Sequence, residues 1–111
     1  MHFDCGQVVL VRFPFTDLSA SKKRPAVVIS ASGFTERYGD VVVLALTSRR
    51  QNDELPQLDD WQEAGLIKPT WVKPLIGTIT SSLIDTSLGV LTVRDKRRVI
   101  SLLDTIVPRE W

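Results

Sequence analysis

Three apolar, β-branched runs crowd into the first 47 residues, and they constrain the fold more than anything else in the chain. Residues 8–13 read VVLVRF, residues 25–30 read PAVVIS and residues 40–47 read DVVVLALT. Each has the length and composition of a strand. Gly6 and Pro14 bracket the first run, and Pro25 opens the second, where a missing N–H is tolerated. None of the three alternates cleanly between apolar and polar residues. Such strands are buried on both faces. One face then serves a core, and the other needs a helix or a second subunit over it.

The rest of the chain is more punctuated. Residues 14–23 form a polar loop rich in Ser and Lys, and residues 31–40 a turn with room for one helical turn. Residues 48–66 are charged and weakly patterned, with a short strand or a one-turn helix expected around Trp61 and a stop at Gly65. Residues 68–80 hold β-type residues broken by Pro69, Pro74 and Gly77, which reads as two short strands or one bent strand. A turn with a short helical element is expected over residues 81–88, then a short strand at residues 89–91. The C-terminal helix has the clearest pattern. Thr92 reads as its N-cap and Asp95 as a capping-box acid. Val99, Leu102, Leu103, Ile106 and Val107 follow helical spacing, with Arg94, Lys96, Arg97 and Arg98 on the polar side. Pro108 ends the helix by Val107. Short strands closed off by one helix predict a mainly β fold: a small, strongly bent antiparallel sheet or barrel with a C-terminal amphipathic helix.

At 111 residues the chain is read as a single domain, residues 1–111. A domain this small buries only about two-thirds of its unfolded surface, so pairing with a second subunit would help it. Fourteen basic and 13 acidic residues give a net charge of +1, which is no nucleic-acid signature by itself. The distribution says more. Asp53, Glu54, Asp59, Asp60 and Glu63 stand together without a Lys or Arg, and basic residues flank them on both sides. An ordinary solvated surface accounts for this as well as a segregated basic face does. The single Cys5 precludes an intrachain disulfide and fits a reducing cytoplasm. The opening MHFDCGQ lacks the features of a signal peptide, and no apolar run approaches the ~20 residues that cross a bilayer.

Elimination narrows the chemistry. The only histidine is His2, at a terminus expected to be mobile. A ribonuclease using two imidazoles is therefore excluded within one chain. No HExxH, CxxC or GxxxxGK motif occurs, so neither metal nor cofactor is expected. What remains is Arg, Lys, Thr, Ser and Asp, and these can still cut RNA. The 2′-hydroxyl is a nucleophile beside its own phosphate, and the protein need only orient it and neutralise the developing charge. A guanidinium offers paired donors to a phosphate. Arg24, where a basic loop enters the second run, is the best candidate for it. Thr47, at the end of the third run, is the best candidate for a hydroxyl that holds a phosphate oxygen. If the two strands are neighbours, the pair meets at one rim of the sheet. A surface Arg and an ordinary strand Thr remain the plain alternative.

The stretch GQVVLVRFPFTDLSASKKRPAVVIS, from Gly6 to Ser30, resembles the N-terminal signature of the PemK/MazF toxin family. That signature is a Gly, a strand ending in an F-P turn, a polar loop, then R-P and an apolar strand. Leu46-Thr47-Ser48 is similar to the family's next motif, and GLIKPTWVKPLIGTITSSLI to a later one. The resemblance implies an SH3-like small barrel shared with the CcdB toxins. It implies a homodimeric, cytoplasmic toxin of a type II toxin–antitoxin system that cleaves single-stranded mRNA at short sequences without metal. The products would carry a 2′,3′-cyclic phosphate and a 5′-hydroxyl. The family's catalytic Arg and Thr fall on Arg24 and Thr47, and RNA contacts are expected from Phe15, Lys22, Lys23, Ser48, Arg49 and Lys73. A cognate antitoxin with a disordered acidic segment is the implied partner. The chain departs from the family in the loop before R-P, where Ser19 to Lys23 replace a common His or Glu, and around Leu75, where no acid occurs. The general base and acid therefore stay open, as does a non-cleaving RNA-binding or gyrase-directed toxin on the same fold.

Overall fold

The computed structural model describes residues 1–12, 22–52 and 54–111. Strand β1 (Gln7–Val11) and strand β2 (Arg24–Val28) precede a single helical turn, α1 (Phe34–Tyr38). Strand β3 (Asp40–Thr47) follows directly, then β4 (Trp71–Thr80), one 3-10 turn (Ser81–Leu83), β5 (Ile84–Val90) and the terminal helix α2 (Val93–Ile106). Every strand pair is antiparallel, in the order β4-β3-β2-β1-β5.

The poor alternation of the three apolar runs has a direct cause, because both faces of the sheet are buried. Val9 and Val11, Ala26 and Val28, and Val41, Val43 and Ala45 point into one cluster with Phe3, Ile79 and Ile84. Val8, Val27, Leu44 and Leu46 point the other way, into a second cluster. That second face is covered by α2 through Val99, Leu102 and Leu103, and by Leu58, Trp61, Ala64 and Leu66 of the β3–β4 connection. The cover expected over the second face is thus supplied within the chain.

The first cluster draws residues from all five strands and from no helix, so the sheet must curl around its own side chains. Chain length enforces the same curl. Strands β4 and β5 lie at opposite edges, yet only Ser81–Leu83 separates them. Five flat strands would span about 19 Å across four gaps of about 4.8 Å. The four Cα steps from Thr80 to Ile84 reach at most about 14 Å. Among the described residues no ladder joins β4 to β5, so the sheet is strongly bent but open, not a closed barrel. Pairing irregularities supply the bend. While β3 takes two steps from Leu44 to Leu46, β4 takes four from Ile76 to Val72, and the excess surrounds Pro74. The proline is tolerated because β4 is an edge strand. Within residues 68–80 there is therefore one bent strand, Trp71–Thr80.

Three local expectations are corrected. Only Ser81–Leu83 is helical, and a strand begins at Ile84; Asp85, Thr86 and Ser87 are polar because they sit exposed on an edge strand. Residues around Trp61 form turns instead of a strand or helix, with Gly65 at φ 85° against the backbone of Leu88. The capping box at α2 does not form. Asp is one methylene too short to reach back as Glu does, and both side chains serve a different turn. The fully buried Asp95 carboxylate accepts the backbone N–H groups of Asp59 (2.9 Å) and Asp60 (2.8 Å). Thr92 Oγ1 donates to Asp60 Oδ2 at 2.6 Å. Arg94 and Arg98, from the polar side of the helix, clamp Asp60 and Asp59. Hydrogen bonds from Arg94 and then Thr92 hold the Asp60 carboxyl well below the usual carboxylate range. Helix α2 ends at Ile106, before Pro108 as the sequence requires, and leaves Val107 exposed.

The N-terminus is also tied down. Phe3 is buried in the first cluster. His2 contacts Asp4 through Nε2 at 2.8 Å and Glu36 through Nδ1 at 3.2 Å. A terminus anchored in a core is not the mobile one that its position suggested.

Candidate functional site

The register between β2 and β3 pairs Val28 with Val43, Val27 with Leu44 and Ala26 with Ala45. Carried two residues further, it sets Arg24, the first residue of β2, opposite Thr47, the last of β3. Opposed residues of an antiparallel pair share a face. For these two it is the face of Ala26, Val28, Val43 and Ala45, so both side chains stand at the rim of the first core cluster.

A cleft of about 200 Å³ opens there. Ala45, Leu46 and Leu75 give it an apolar floor, and Arg24, Thr47, Arg49, Gln51 and Lys73 are its polar lining. Lys73 belongs because β4 pairs with β3 beside Thr47 and places residues 73 and 75 on the same face as Ile79. Arg24, Arg49 and Lys73 have no ion-pair partner among the described residues. Lys23, Arg94 and Arg109, by contrast, pair with Asp85 (3.0 Å), Asp60 (2.7 Å) and Asp104 (3.3 Å). Three cations around an open recess, none paired among the described residues, repel one another and attract an anion.

The turn after β3 is fixed by two side chains that line the cleft. Thr47 Oγ1 accepts the backbone N–H of Arg49 at 3.1 Å. Gln51 Nε2 donates to the backbone carbonyl of Arg49 at 2.8 Å. A hydroxyl has one donor and two acceptor sites. With a lone pair occupied by Arg49, Thr47 still has its O–H to give to an oxygen in the cleft.

Of the expected site residues, the fold brings together Arg24, Thr47, Arg49 and Lys73. Ser48, one residue past Thr47, faces the other side of the strand ends and lines a separate cleft of about 350 Å³ with Leu10, Pro25 and Leu66. Lys22 is exposed just ahead of β2, and Lys23 reaches Asp85 on β5. Phe15 lies outside the described residues. Gln51 was not singled out by the sequence, and no local pattern marks it. Its place depends on a turn folding back on Arg49. His2 is at the far end of β2 from Arg24, against Ser32 and Glu36, and takes no part in the cleft. Among the described residues no group of three or more His, Cys, Asp or Glu side chains could hold a metal ion. No helix among them is long and apolar enough to cross a membrane.

Fold and cleft together define a small, curled-sheet domain with a cationic rim at its strand ends. The chain belongs to the PemK-like, MazF-like toxins of type II toxin–antitoxin systems, whose family model matches residues 4–107. No curated protein matches the sequence. Solved structures share the fold at low identity. A MazF from Deinococcus radiodurans superposes with a TM-score of 0.77 at 17% identity, covering 96% of each chain. The Mycobacterium tuberculosis toxin MazF-mt6 gives 0.74 at 16%, covering 95% of this chain and 99% of its own. A mycobacterial endoribonuclease in complex with its cognate antitoxin gives 0.74 at 20%, covering 98% of both chains.

Proposed function

We propose that this chain is the toxin of a type II toxin–antitoxin pair and acts as a sequence-specific, metal-independent endoribonuclease on single-stranded mRNA. The observation that carries the reading is the cleft itself: Arg24 and Thr47 line it together at the ends of adjacent strands, with Arg49 and Lys73 beside them and no ion-pair partner for any of the three cations among the described residues. Arg24 grips the scissile phosphate with paired N–H donors. Thr47 donates its hydroxyl proton to a non-bridging oxygen. Arg49 and Lys73 offset the charge that builds on the phosphorane and hold the phosphates on either side. The ribose 2′-oxygen then attacks phosphorus in line. A bond from O2′ to phosphorus forms, and the bond to O5′ breaks. The 2′-hydroxyl loses its proton and the departing O5′ gains one, leaving a 2′,3′-cyclic phosphate and a 5′-hydroxyl. The same chemistry is unavailable on DNA, which lacks the nucleophile.

The membership of this family supports an antitoxin partner, and a structural relative is bound to its cognate antitoxin. For this chain the partner is an acidic segment that orders on binding and competes with RNA for the cationic cleft. The toxin works as a homodimer in the cytoplasm. One observation favours a second reading, an RNA-binding or gyrase-directed toxin that does not cleave: no described carboxylate or imidazole lines the cleft. Incubation of the purified protein with a long RNA in EDTA decides between them. The first reading predicts discrete fragments that disappear with Arg24→Ala. Intact RNA across varied sequences, with toxicity that survives Arg24→Ala, fits only the second.

A further inference from the structure

The cleft's cations can only donate, and phosphates can only accept. Among the described lining residues, Gln51 is the side chain that offers a carbonyl oxygen as well as N–H groups. Its amide orientation is settled by chemistry. The atom facing the Arg49 carbonyl at 2.8 Å must be the nitrogen, because a carbonyl accepts and never donates. One N–H is thereby occupied. A second N–H and the carbonyl oxygen remain in the amide plane, one donor and one acceptor for a ligand in the cleft. A carbonyl oxygen has no favourable contact with a phosphate. It fits a nucleobase edge.

We propose that Gln51 reads the base next to the scissile phosphate and separates amino-type bases (adenine, cytosine) from keto-type bases (guanine, uracil). Every nucleobase sets a donor beside an acceptor on its Watson–Crick edge, and single-stranded RNA leaves that edge open. The two classes differ in which group is exocyclic: an amino donor in one, a carbonyl acceptor in the other. A free glutamine matches either by rotating its amide half a turn. Gln51 cannot rotate without giving up the bond to the Arg49 carbonyl, and the N–H of the same residue is held by Thr47. The tether therefore turns an indiscriminate amide into a directional one, at a fixed offset from the residue that holds the phosphate. This inference rests on the endoribonuclease reading and names the part of the cleft that selects its sites.

The test is to cut a pool of random-sequence RNA with the wild-type protein, Gln51→Ala and Gln51→Glu, and to sequence the cleaved ends. The wild type should prefer one class, amino or keto, at a single position beside the cut, by about ten- to a hundredfold. Gln51→Ala should cut with that preference lost and preferences elsewhere kept. Gln51→Glu loses the bond to the Arg49 carbonyl and presents only acceptors, so the freed carboxylate should shift the same position towards the base whose edge carries two donors, guanine. A preference that is unchanged in both variants overturns the proposal. So does an equal slowing at all sites, or complete loss of cutting, because either makes Gln51 only a support for the Arg49 peptide. Absence of cutting by the wild type overturns the endoribonuclease reading, and this inference with it. Cutting with no amino–keto preference beside the cut overturns this inference alone.

Discussion

Asp95 accepts the backbone N–H of Asp60 at 2.8 Å, and its carboxylate has no exposed surface. With the companion bond to Asp59, it fastens the β3–β4 connection onto the first turn of α2. That connection carries Leu58, Trp61, Ala64 and Leu66, which roof the second core cluster. Asp95→Asn keeps the size but turns one acceptor into a donor facing an N–H. The change should cost about 1–3 kcal/mol, the penalty for a buried group left unsatisfied. Urea denaturation should show a lower midpoint with an unchanged slope. A midpoint equal to the wild type would show that this fastening contributes nothing.

Arg24 and Thr47 should respond differently to conservative change. Arg24→Ala removes the planar fork and should slow single-turnover RNA cleavage by at least about a hundredfold, as loss of one transition-state donor does. Arg24→Lys restores charge without the paired donors, so it should recover only part of that loss. Thr47→Ser keeps the hydroxyl and should stay within about tenfold of the wild type, whereas Thr47→Ala should not. Equal rates for Ala and Ser at position 47 would remove the hydroxyl from the account.

The three cleft cations make a prediction about salt. Binding of single strands releases about 0.7 counterion per phosphate contacted. Arg24, Arg49 and Lys73 together should give the affinity for an uncleavable 2′-deoxy oligonucleotide a log–log salt slope of about −2. Arg49→Ala and Lys73→Ala should each flatten it by about 0.7, and Lys23→Ala, already paired with Asp85, should leave it nearly unchanged. Titrations at four salt concentrations measure this directly.

The N-terminal cluster gives a pH dependence. The hydrogen bond to Asp4, with the charges of Asp4 and Glu36, raises His2 above its ordinary 6.5. Hydrogen bonds from Ser32 and then His2 lower Asp4 below its ordinary 3.8. A raised histidine stabilises fully below its unfolded value and loses that contribution as pH rises through its folded one. A depressed carboxyl stabilises above its unfolded value and fails as pH falls through its folded one. The two overlap between the ordinary values of Asp4 and His2. The melting temperature of His2→Ala should therefore trail the wild type most near about pH 5.5 and converge with it near about pH 9. All these groups are exposed, so added salt should shrink the gap. A gap that does not change with pH would contradict the assignment.

That Arg24 and Thr47 share a face at adjacent strand ends was legible because strand alternation is local. Counting back by two from Val28 and Ala26, and forward by two from Val43 and Ala45, reaches both residues on one face. Helix α2 was legible in its periodicity and in Pro108. Strand β5 was hidden because Asp85, Thr86 and Ser87 look like a turn until β1 is seen beside them. Lys23 looked like a cleft residue, since nothing nearby in sequence reveals Asp85. Thr92 and Asp95 fit a capping pattern, but Asp95 serves the N–H groups of residues 59–60 and Thr92 the Asp60 carboxylate, which only the tertiary fold brings to α2. Gln51 became visible only once its bond to Arg49 defined a turn. In each case the hidden feature depends on a contact between distant segments, which propensity and period do not encode.

The central claim is that a ribose attacks a phosphate held between Arg24 and Thr47, and replacing the nucleophile tests it most directly. A long RNA and its fully 2′-O-methylated counterpart should be incubated with the purified protein in EDTA, and the ends of any fragments determined. The account predicts that the unmodified RNA is cut to 5′-hydroxyl and 2′,3′-cyclic phosphate ends, while the methylated strand stays intact. Cutting of the methylated strand, or fragments that begin with a 5′-phosphate, would contradict it.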